Sequence, residues 1–204
     1  MIPPIFASAT VCLVAGGPSL KNFDWSRLHG RQVIAINRAF ETCPQAQVLW
    51  WSDHLFYLRN REAIDAHAAP YKATGLRSNE QHADLAAEVH RYRFTGLHGL
   101  DAEPGCVRTG NNSAFAALHL AAHLGARKIV LLGVDMKHGA AGETHWHNGH
   151  GIAHIEHTLT HQMLPYFESL KEPLAALGIE VLNANPESAL LTWPRMTFDQ
   201  ALAT

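Results

Sequence analysis

Cysteine is scarce in this sequence, and neither sign of charge is in excess. The 204 residues include three cysteines, Cys12, Cys43 and Cys106, which are widely spaced and odd in number. Such a set excludes a disulfide framework and a zinc knuckle, and it is typical of the reducing cytoplasm. The formal net charge of −2 provides no dominant basic surface for nucleic acid. We therefore expect a cytoplasmic protein that does not bind nucleic acid.

Long apolar runs and low-complexity linkers are also missing. No apolar run approaches the roughly 20 residues of a transmembrane helix, so we expect no membrane span. The apolar N-terminal stretch has no basic segment before it and is interrupted at 16–18, which favours a first strand over a signal peptide. With 47% apolar residues, the chain can still bury a core. Its length fits one domain over residues 1–204, and the sequence leaves the oligomeric state open.

Short apolar runs alternate with helical patterns along the chain. This alternation predicts an α/β fold: a Rossmann-like, doubly wound, mostly parallel sheet with a small irregular lid region. Residues 71–105 are predicted as short strands and a helix that cover the sheet, with a mobile loop at 96–105. Residues 152–177 are predicted as an amphipathic helix that Pro165 and Pro173 kink or divide. The predicted sheet strands are 10–15, 32–36, 47–51, 128–132 and 179–182.

The stretch 109–135 is the centre of this prediction. Four residues that can cap a helix precede a run rich in alanine and leucine, which predicts a helix followed by the buried strand 128–132. The strand leads to Asp135 at its carboxyl end. Ligands of open α/β sheets bind at that edge. The four capping residues are Thr109, Asn111, Asn112 and Ser113.

Polar residues also follow the first three predicted strands. Asn37 follows the second and Asp53 the third. A glycine-rich turn after the first strand can hold phosphate through backbone N–H groups, although it matches neither GxGxxG nor a Walker loop, and a plain tight turn is the alternative. Each polar residue alone could be a helix cap, but their repetition at one sheet edge predicts a binding site. The turn consists of Gly16, Gly17, Pro18 and Ser19.

Histidine is unusually frequent, with 15 residues in the chain. Several of them lie in the segment 143–150, where they could act as general bases or bind a transition metal. Candidate metal ligands are Asp135, His145 and His147, although their spacing matches no strong zinc signature. Further along, His154, His157 and His161 share one helical face, for which a solvated polar surface is the favoured interpretation.

Five motifs follow one another in a recognisable order and spacing. They are Val14-Ala15-Gly16-Gly17-Pro18-Ser19-Leu20-Lys21-Asn22, Ile36-Asn37-Arg38-Ala39-Phe40, the stretch 109–135, His145-Trp146-His147-Asn148-Gly149-His150 and Asn183-Ala184-Asn185-Pro186-Glu187-Ser188-Ala189-Leu190-Leu191. Together they resemble the bacterial sialyltransferases that build lipooligosaccharide. They also resemble the related group that contains the archaeal 6-hydroxymethylpterin diphosphokinase and many phage and prophage proteins of unknown role.

The resemblance implies a nucleotide-dependent group transferase, which moves a glycosyl or diphosphoryl group from a nucleotide donor to a hydroxyl acceptor. The glycine turn and Asn37 would hold the nucleotide, and 55–105 would be a lid or bind the acceptor. Gly149-His150 resembles the catalytic Gly-His pair, which makes His150 the expected general base and His147 its neighbour. The anionic group would lie at Thr109, Gly110, Asn111 and Ser113.

Two departures from that family matter. Gly16 stands where the sialyltransferase loop has an asparagine, and the histidine segment is one residue longer, so that His147 or His150 could match the base. Asp135 or Asp53 would orient the histidine or hold Mg²⁺, which a nucleoside triphosphate donor requires and a nucleotide sugar need not. The alternatives are a metal-dependent hydrolase that uses the histidine loop and a non-catalytic phage or prophage nucleotide-binding protein.

Overall fold

A computed structural model describes residues 1–77, 83–147 and 156–204. Within these residues the chain forms an eight-stranded sheet in which every neighbouring pair is parallel. The strands are β1 Thr10–Val14, β2 Gln32–Ile36, β3 Val48–Trp51, β4 Tyr71–Leu76, β5 His90–Phe94, β6 Cys106–Val107, β7 Lys128–Leu132 and β8 Glu180–Asn183.

The strand order is β6-β5-β4-β3-β2-β1-β7-β8. The five predicted strands are therefore neighbours in one sheet, and the predicted α/β class is confirmed. From β1 the chain adds strands on one side as far as β6 and then crosses to the other side of β1 with β7. This reversal between β1 and β7 is the topological switch point, where open α/β sheets bind their ligands.

Four α-helices pack around this sheet in the described residues. α1 has its cap at Asp53, and α3 follows directly on a π-helix at Thr158–Met163. The predicted division of this helix at the prolines is wrong for the described residues: the helical segment is continuous from 156 to 176, with Pro165 in the first turn of α3 and Pro173 inside it. No helix in the described part of the chain is long and apolar enough to cross a membrane. The α-helices are α1 His54–Ala66, α2 Ser113–His123, α3 Leu164–Ala176 and α4 Phe198–Ala203.

Helix α2 is the most deeply buried of the four α-helices in the described residues. Every residue from Ala114 to Ala121 is buried, because four of these eight are alanines, whose small side chains let the helix backbone approach the sheet. Phe115 packs edge-on against Phe167 of α3, with ring centroids 5.6 Å apart. Because α2 packs closely against the sheet, the position of its amino terminus at the sheet edge is fixed.

Residues 71–107 extend the sheet with β4, β5 and β6 instead of covering it. The loop after β5, predicted to be mobile, is tied to its surroundings. The Thr95 hydroxyl donates to Asp101 at 2.6 Å, and Arg108 lies 3.2 Å from the same carboxylate. These hydrogen bonds lower the pKa of Asp101, with the Thr95 hydroxyl contributing most. The loop is thus held in one conformation beside the carboxyl edge of the sheet.

A buried histidine completes this tie. His119 of α2 is fully buried, and its Nδ1 accepts the Arg108 N–H at 3.1 Å. Its Nε2 accepts the Asp101 N–H at 2.9 Å and also lies 3.1 Å from the Asp101 carbonyl oxygen, so both ring nitrogens contact the backbone of the loop. Burial lowers the pKa of His119 to about 4.

We predict that His119 makes stability fall as the pH drops. Because its folded pKa lies below the unfolded value of about 6.5, the unfolded chain binds the proton first. The contribution is complete above about pH 6.5 and is lost progressively down to about pH 4. Between pH 7.5 and 5 we expect His119 to account for a loss of about 2 kcal/mol in the unfolding free energy, measured by urea titration. His67, His90 and His123, whose pKa values are also lowered by burial, add to the fall.

His119→Gln removes the titrating group, so it should lower stability at pH 7.5 but flatten the pH dependence by about that amount. His29→Gln is the matched control, because His29 is exposed and should leave the pH dependence unchanged. Identical pH slopes in wild type and His119→Gln would contradict the assignment.

Candidate active site

Two cavities meet at the carboxyl edge of the sheet. The inner cleft has a volume of about 270 Å³ and lies at the switch point, between the ends of β1, β2 and β7. The outer cavity has a volume of about 690 Å³ and lies beyond β3, β4 and β5. The outer cavity is within the range of about 300–1,000 Å³ that is typical of small-molecule sites, and the inner cleft lies just below it. The residues that line both are Asp53, Asn111, Asn112 and Ser113.

Most of the residues predicted from sequence line the inner cleft. Thr109 lines only the outer cavity, and Ser19 lies with Asp135 in the lining of a third cavity. His150, the predicted base, lies outside the described residues. Those that line the inner cleft are Gly16, Gly17, Pro18, Asn37, Asp53, Asn111, Ser113, Asp135, His145 and His147.

Asp135 is the structural centre of this edge. Its carboxylate is buried and accepts three hydrogen bonds: from the Ser19 N–H at 2.7 Å, the Ser19 hydroxyl at 2.7 Å and the Asn185 amide at 2.8 Å. Ser19 follows β1, Asp135 follows β7 and Asn185 follows β8. One carboxylate therefore joins the ends of three strands, and hydrogen bonds to an ionised group are stronger than those between neutral groups.

Gly17 is required by this packing. Its N–H donates to the Gly133 carbonyl at 2.8 Å. A Cβ at this position would lie 2.5 Å from both the Asp135 carboxylate and the Gly133 carbonyl oxygen. A bulky residue at 17 would disturb the loop itself, so its effect on a ligand could not be separated from its effect on the fold.

The role predicted for the glycine turn needs a correction. The N–H of Gly17 is bonded to Gly133, Pro18 has no N–H, and Ser19 donates both its N–H and its hydroxyl to Asp135. These three residues have no donor left to cradle a phosphate in this conformation. The turn forms a wall of the cleft, and donors for an anionic ligand must come from other residues.

The histidine segment lies directly on this turn. Trp146 donates its backbone N–H to the Gly16 carbonyl at 3.0 Å and its indole N–H to the Ala15 carbonyl at 3.3 Å. A Cβ at Gly16 would lie 2.8 Å from Cδ2 of His145 and 3.6 Å from Nε2 of His147. Both imidazoles are thus packed against glycine at the rim of the inner cleft, and their rings stack with centroids 5.3 Å apart.

A left-handed turn brings the start of α2 to the junction of the two cavities. Gly110 and Asn111 have φ values of +50° and +53°, and a Cβ at Gly110 would collide with the Phe115 ring at 2.4 Å. Asn112 then caps α2, since its side-chain oxygen accepts the N–H groups of Ala114 and Phe115. An anion at this helix end would meet the helix dipole and the Ser113 hydroxyl.

Backbone strain is concentrated at the inner cleft. Among the described residues, four that are not glycine have a positive φ, and three of them, Asn37, Asn111 and Met136, line the cleft. Such conformations are sparsely populated and are enriched at binding and catalytic sites. For a side chain like that of Met136 the left-handed region is costly, so the surrounding structure must hold it there.

Charged residues of both signs surround the inner cleft. Arg38 and Lys137 line it and are paired with Glu41 and Glu187, whereas the buried Asp135 carboxylate is occupied by its three donors. Asp53 lies at the junction, exposed, with one oxygen accepting the Leu55 N–H at 2.8 Å as the cap of α1. Two cations and a helix amino terminus therefore surround the space next to Asn37.

The proposed metal ligands do not form a cluster. In the described ranges no group of three or more histidine, cysteine, aspartate or glutamate residues is placed to hold a metal ion. Asp135, His145 and His147 all line the inner cleft, but the carboxylate of Asp135 is directed to Ser19 and Asn185. A metal role for these residues stays a prediction from sequence.

Sequence reasoning missed four contributors to the site. Arg38 and Asn185 were noted only as members of sequence motifs, yet Arg38 lines the cleft and Asn185 donates to Asp135. Lys137 and Met136 follow Asp135 directly and line the cleft. Position along the chain was a usable signal for Met136 and Lys137, because residues just beyond a central strand at the switch point must lie at the cleft.

Comparison of the chain with protein-family models, curated proteins and solved structures found no match.

We predict that Asp135→Asn destabilises the protein by about 2–3 kcal/mol, because the ionised acceptor of three hydrogen bonds is replaced by a neutral amide that donates on one side. Urea unfolding at pH 7.5 measures the change. Asp199→Asn is the control: Asp199 is exposed, and its ion pair with Arg27 lies on the surface, so we expect less than about 1 kcal/mol. Equal effects of the two substitutions would show that Asp135 does not hold the strand ends together.

Proposed function

We propose that the protein is a nucleotide-dependent group transferase, with the donor nucleotide in the inner cleft and the hydroxyl acceptor in the outer cavity. The observation that supports this most is the junction. The two cavities share Asp53 and the amino terminus of α2, so ligands in both would meet at one point. A transfer reaction needs two substrates with their reacting atoms held together.

Charge supports the placement of the donor. Arg38, Lys137 and the amino terminus of α2 surround the inner cleft and would stabilise the phosphates of a nucleotide. Asn37, which has a left-handed backbone conformation and lines the cleft, would hydrogen-bond the nucleotide. Gly16 would serve the site indirectly, because its missing side chain leaves room for the His145 and His147 imidazoles at the rim of the cleft.

The chemistry we propose is a displacement by the acceptor oxygen. That oxygen forms a bond to the sugar carbon or the phosphorus that is transferred. The bond between this carbon or phosphorus and the phosphate oxygen of the leaving group breaks, and the leaving oxygen keeps the electron pair. The acceptor proton passes to a histidine, for which His147 lines the cleft and His150 remains the prediction from sequence. General base catalysis of this kind contributes roughly 10²- to 10⁴-fold in rate.

Mg²⁺ enters this proposal only for a nucleoside triphosphate donor. Asp53 fits such an ion better than Asp135 does, because it is exposed at the junction and its carboxylate accepts a single backbone N–H. The ion would neutralise the phosphates between the two cavities. The alternatives, a metal-dependent hydrolase and a non-catalytic nucleotide-binding protein, stay predictions.

We predict that at least one nucleotide or nucleotide sugar raises the melting temperature and that Asn37→Asp weakens its binding about tenfold or more. The substitution replaces the amide that would donate to the nucleotide with a carboxylate, which cannot donate and whose negative charge opposes an anionic ligand. Tenfold corresponds to about 1.4 kcal/mol. Ligand at 100 times its Kd should add about 2.7 kcal/mol to the stability of the wild type. Thermal shifts across a nucleotide panel, followed by calorimetric titration of the best ligand, measure both effects.

Asn22→Asp is the matched control, because it adds the same charge at an exposed position after the glycine turn, away from the residues that line the cleft. Equal affinities in both variants would rule out the inner cleft as the donor site. Binding without consumption of the nucleotide in the presence of hydroxyl acceptors would favour the non-catalytic alternative. Bound zinc, manganese or iron together with hydrolysis would favour the hydrolase.

A further inference from the structure

A row of aromatic rings connects the C-terminal helix to the histidine segment. Phe198 of α4 packs edge-on against Phe23 with centroids 5.5 Å apart, and Phe23 packs edge-on against Trp25 at 5.3 Å. Trp25 contacts Trp146 at 5.3 Å, and Trp146 contacts His147 at 4.7 Å with the ring planes perpendicular. Four successive ring contacts therefore lead from the surface helix to an imidazole at the inner cleft.

The end of this row at Phe198 is held by a cation–π contact and an ion pair as well as by packing. The guanidinium of Arg27 lies 4.9 Å from the centroid of the Phe198 ring and pairs with Asp199 on the same helix. Trp25 begins a short 3₁₀-helix, Trp25–Leu28, whose start is capped by Asp24. Trp25 is therefore held from its own backbone and from Phe23, independently of the histidine segment.

The histidine segment has no regular secondary structure of its own at 144–147. Its position depends on Trp146, which uses its backbone and indole N–H groups to bind the end of β1. The Trp25 ring packs against the same indole, with the ring centroids 5.3 Å apart. Removing that ring would leave Trp146 with its two hydrogen bonds but without this lateral support, and both neighbouring imidazoles would gain freedom.

We propose that Trp25 is a positioning residue for the histidine segment: its ring holds Trp146 in place and thereby keeps His145 and His147 packed against Gly16 at the cleft. The inference rests on the proposed function in one respect, that a histidine of this segment takes the acceptor proton. The placement of the rings can be measured with no nucleotide or acceptor present.

The test measures how fast diethyl pyrocarbonate modifies individual histidines, read by mass spectrometry of the peptides. In Trp25→Leu, which keeps an apolar side chain but removes the ring, His145 and His147 should react about two- to tenfold faster than in wild type, the range that one ring contact supports. The exposed His29 should react at an unchanged rate. Trp25→Phe should restore most of the protection, since it restores a ring.

Phe56→Leu is the matched control, because Phe56 is a partly buried aromatic residue that contacts Phe40 on α1's side of the sheet. Phe23→Leu is the second test variant: it removes the next ring of the row and should give a smaller rise at the same two histidines. It decides the question if Trp25→Leu does not fold.

Unchanged reactivity of His145 and His147 in Trp25→Leu, or an equal rise in Phe56→Leu, would overturn the inference. A uniform rise at every histidine would do so too, because it would mean general loosening of the fold. The proposed function fails by a different result, the absence of nucleotide binding at Asn37. A shift of the basic or acidic limb of the pH–rate profile in Trp25→Leu, reversed in Trp25→Phe, would link the positioning to proton transfer.

Discussion

The site depends on one buried carboxylate. Asp135 follows β7 and accepts hydrogen bonds from Ser19, which follows β1, and from Asn185, which follows β8. The ends of three parallel strands are therefore joined as one unit at the switch point. The neighbouring Gly17 has no side chain because the carboxylate occupies that space. A charge buried at this depth is tolerated only when it is fully hydrogen-bonded. Loss of any one of its donors should therefore destabilise the whole cluster.

Everything at the inner cleft is built on that unit. The glycine turn, fixed by Asp135, presents the carbonyls of Ala15 and Gly16 to Trp146, and Trp146 brings two imidazoles to the rim. On the opposite side, the buried helix α2 brings its capped amino terminus to the same space. The site is therefore largely pre-formed by packing in the sheet and α2. His145 and His147 are added to it by residues 144–147, which have no regular secondary structure.

The fold could be predicted from sequence more fully than the site. Alternating short apolar runs and helical patterns are local signals, and they identified five of the eight strands and the start of α2 near Asn112. The pairing of Ser19 with Asp135 spans 116 residues, and no local pattern shows it, so Ser19 was assigned to a ligand instead of to the carboxylate. β5 was obscured because its polar residues, such as His90 and Arg93, occupy partly or fully exposed positions. β4 was obscured because its buried positions include Lys72, Thr74 and Gly75 instead of a continuous apolar run.

The central claim is that a nucleotide occupies the inner cleft with its phosphates near the start of α2. A crystal structure of the protein with the nucleotide that gives the largest thermal shift tests it most directly. The account predicts the phosphates within hydrogen-bonding distance of Ser113 or Arg38, the nucleoside beside Asn37, and the glycine turn still bonded to Asp135. A nucleotide bound anywhere else on the molecule, or in the cleft only after the Ser19–Asp135 bonds have broken, would contradict it.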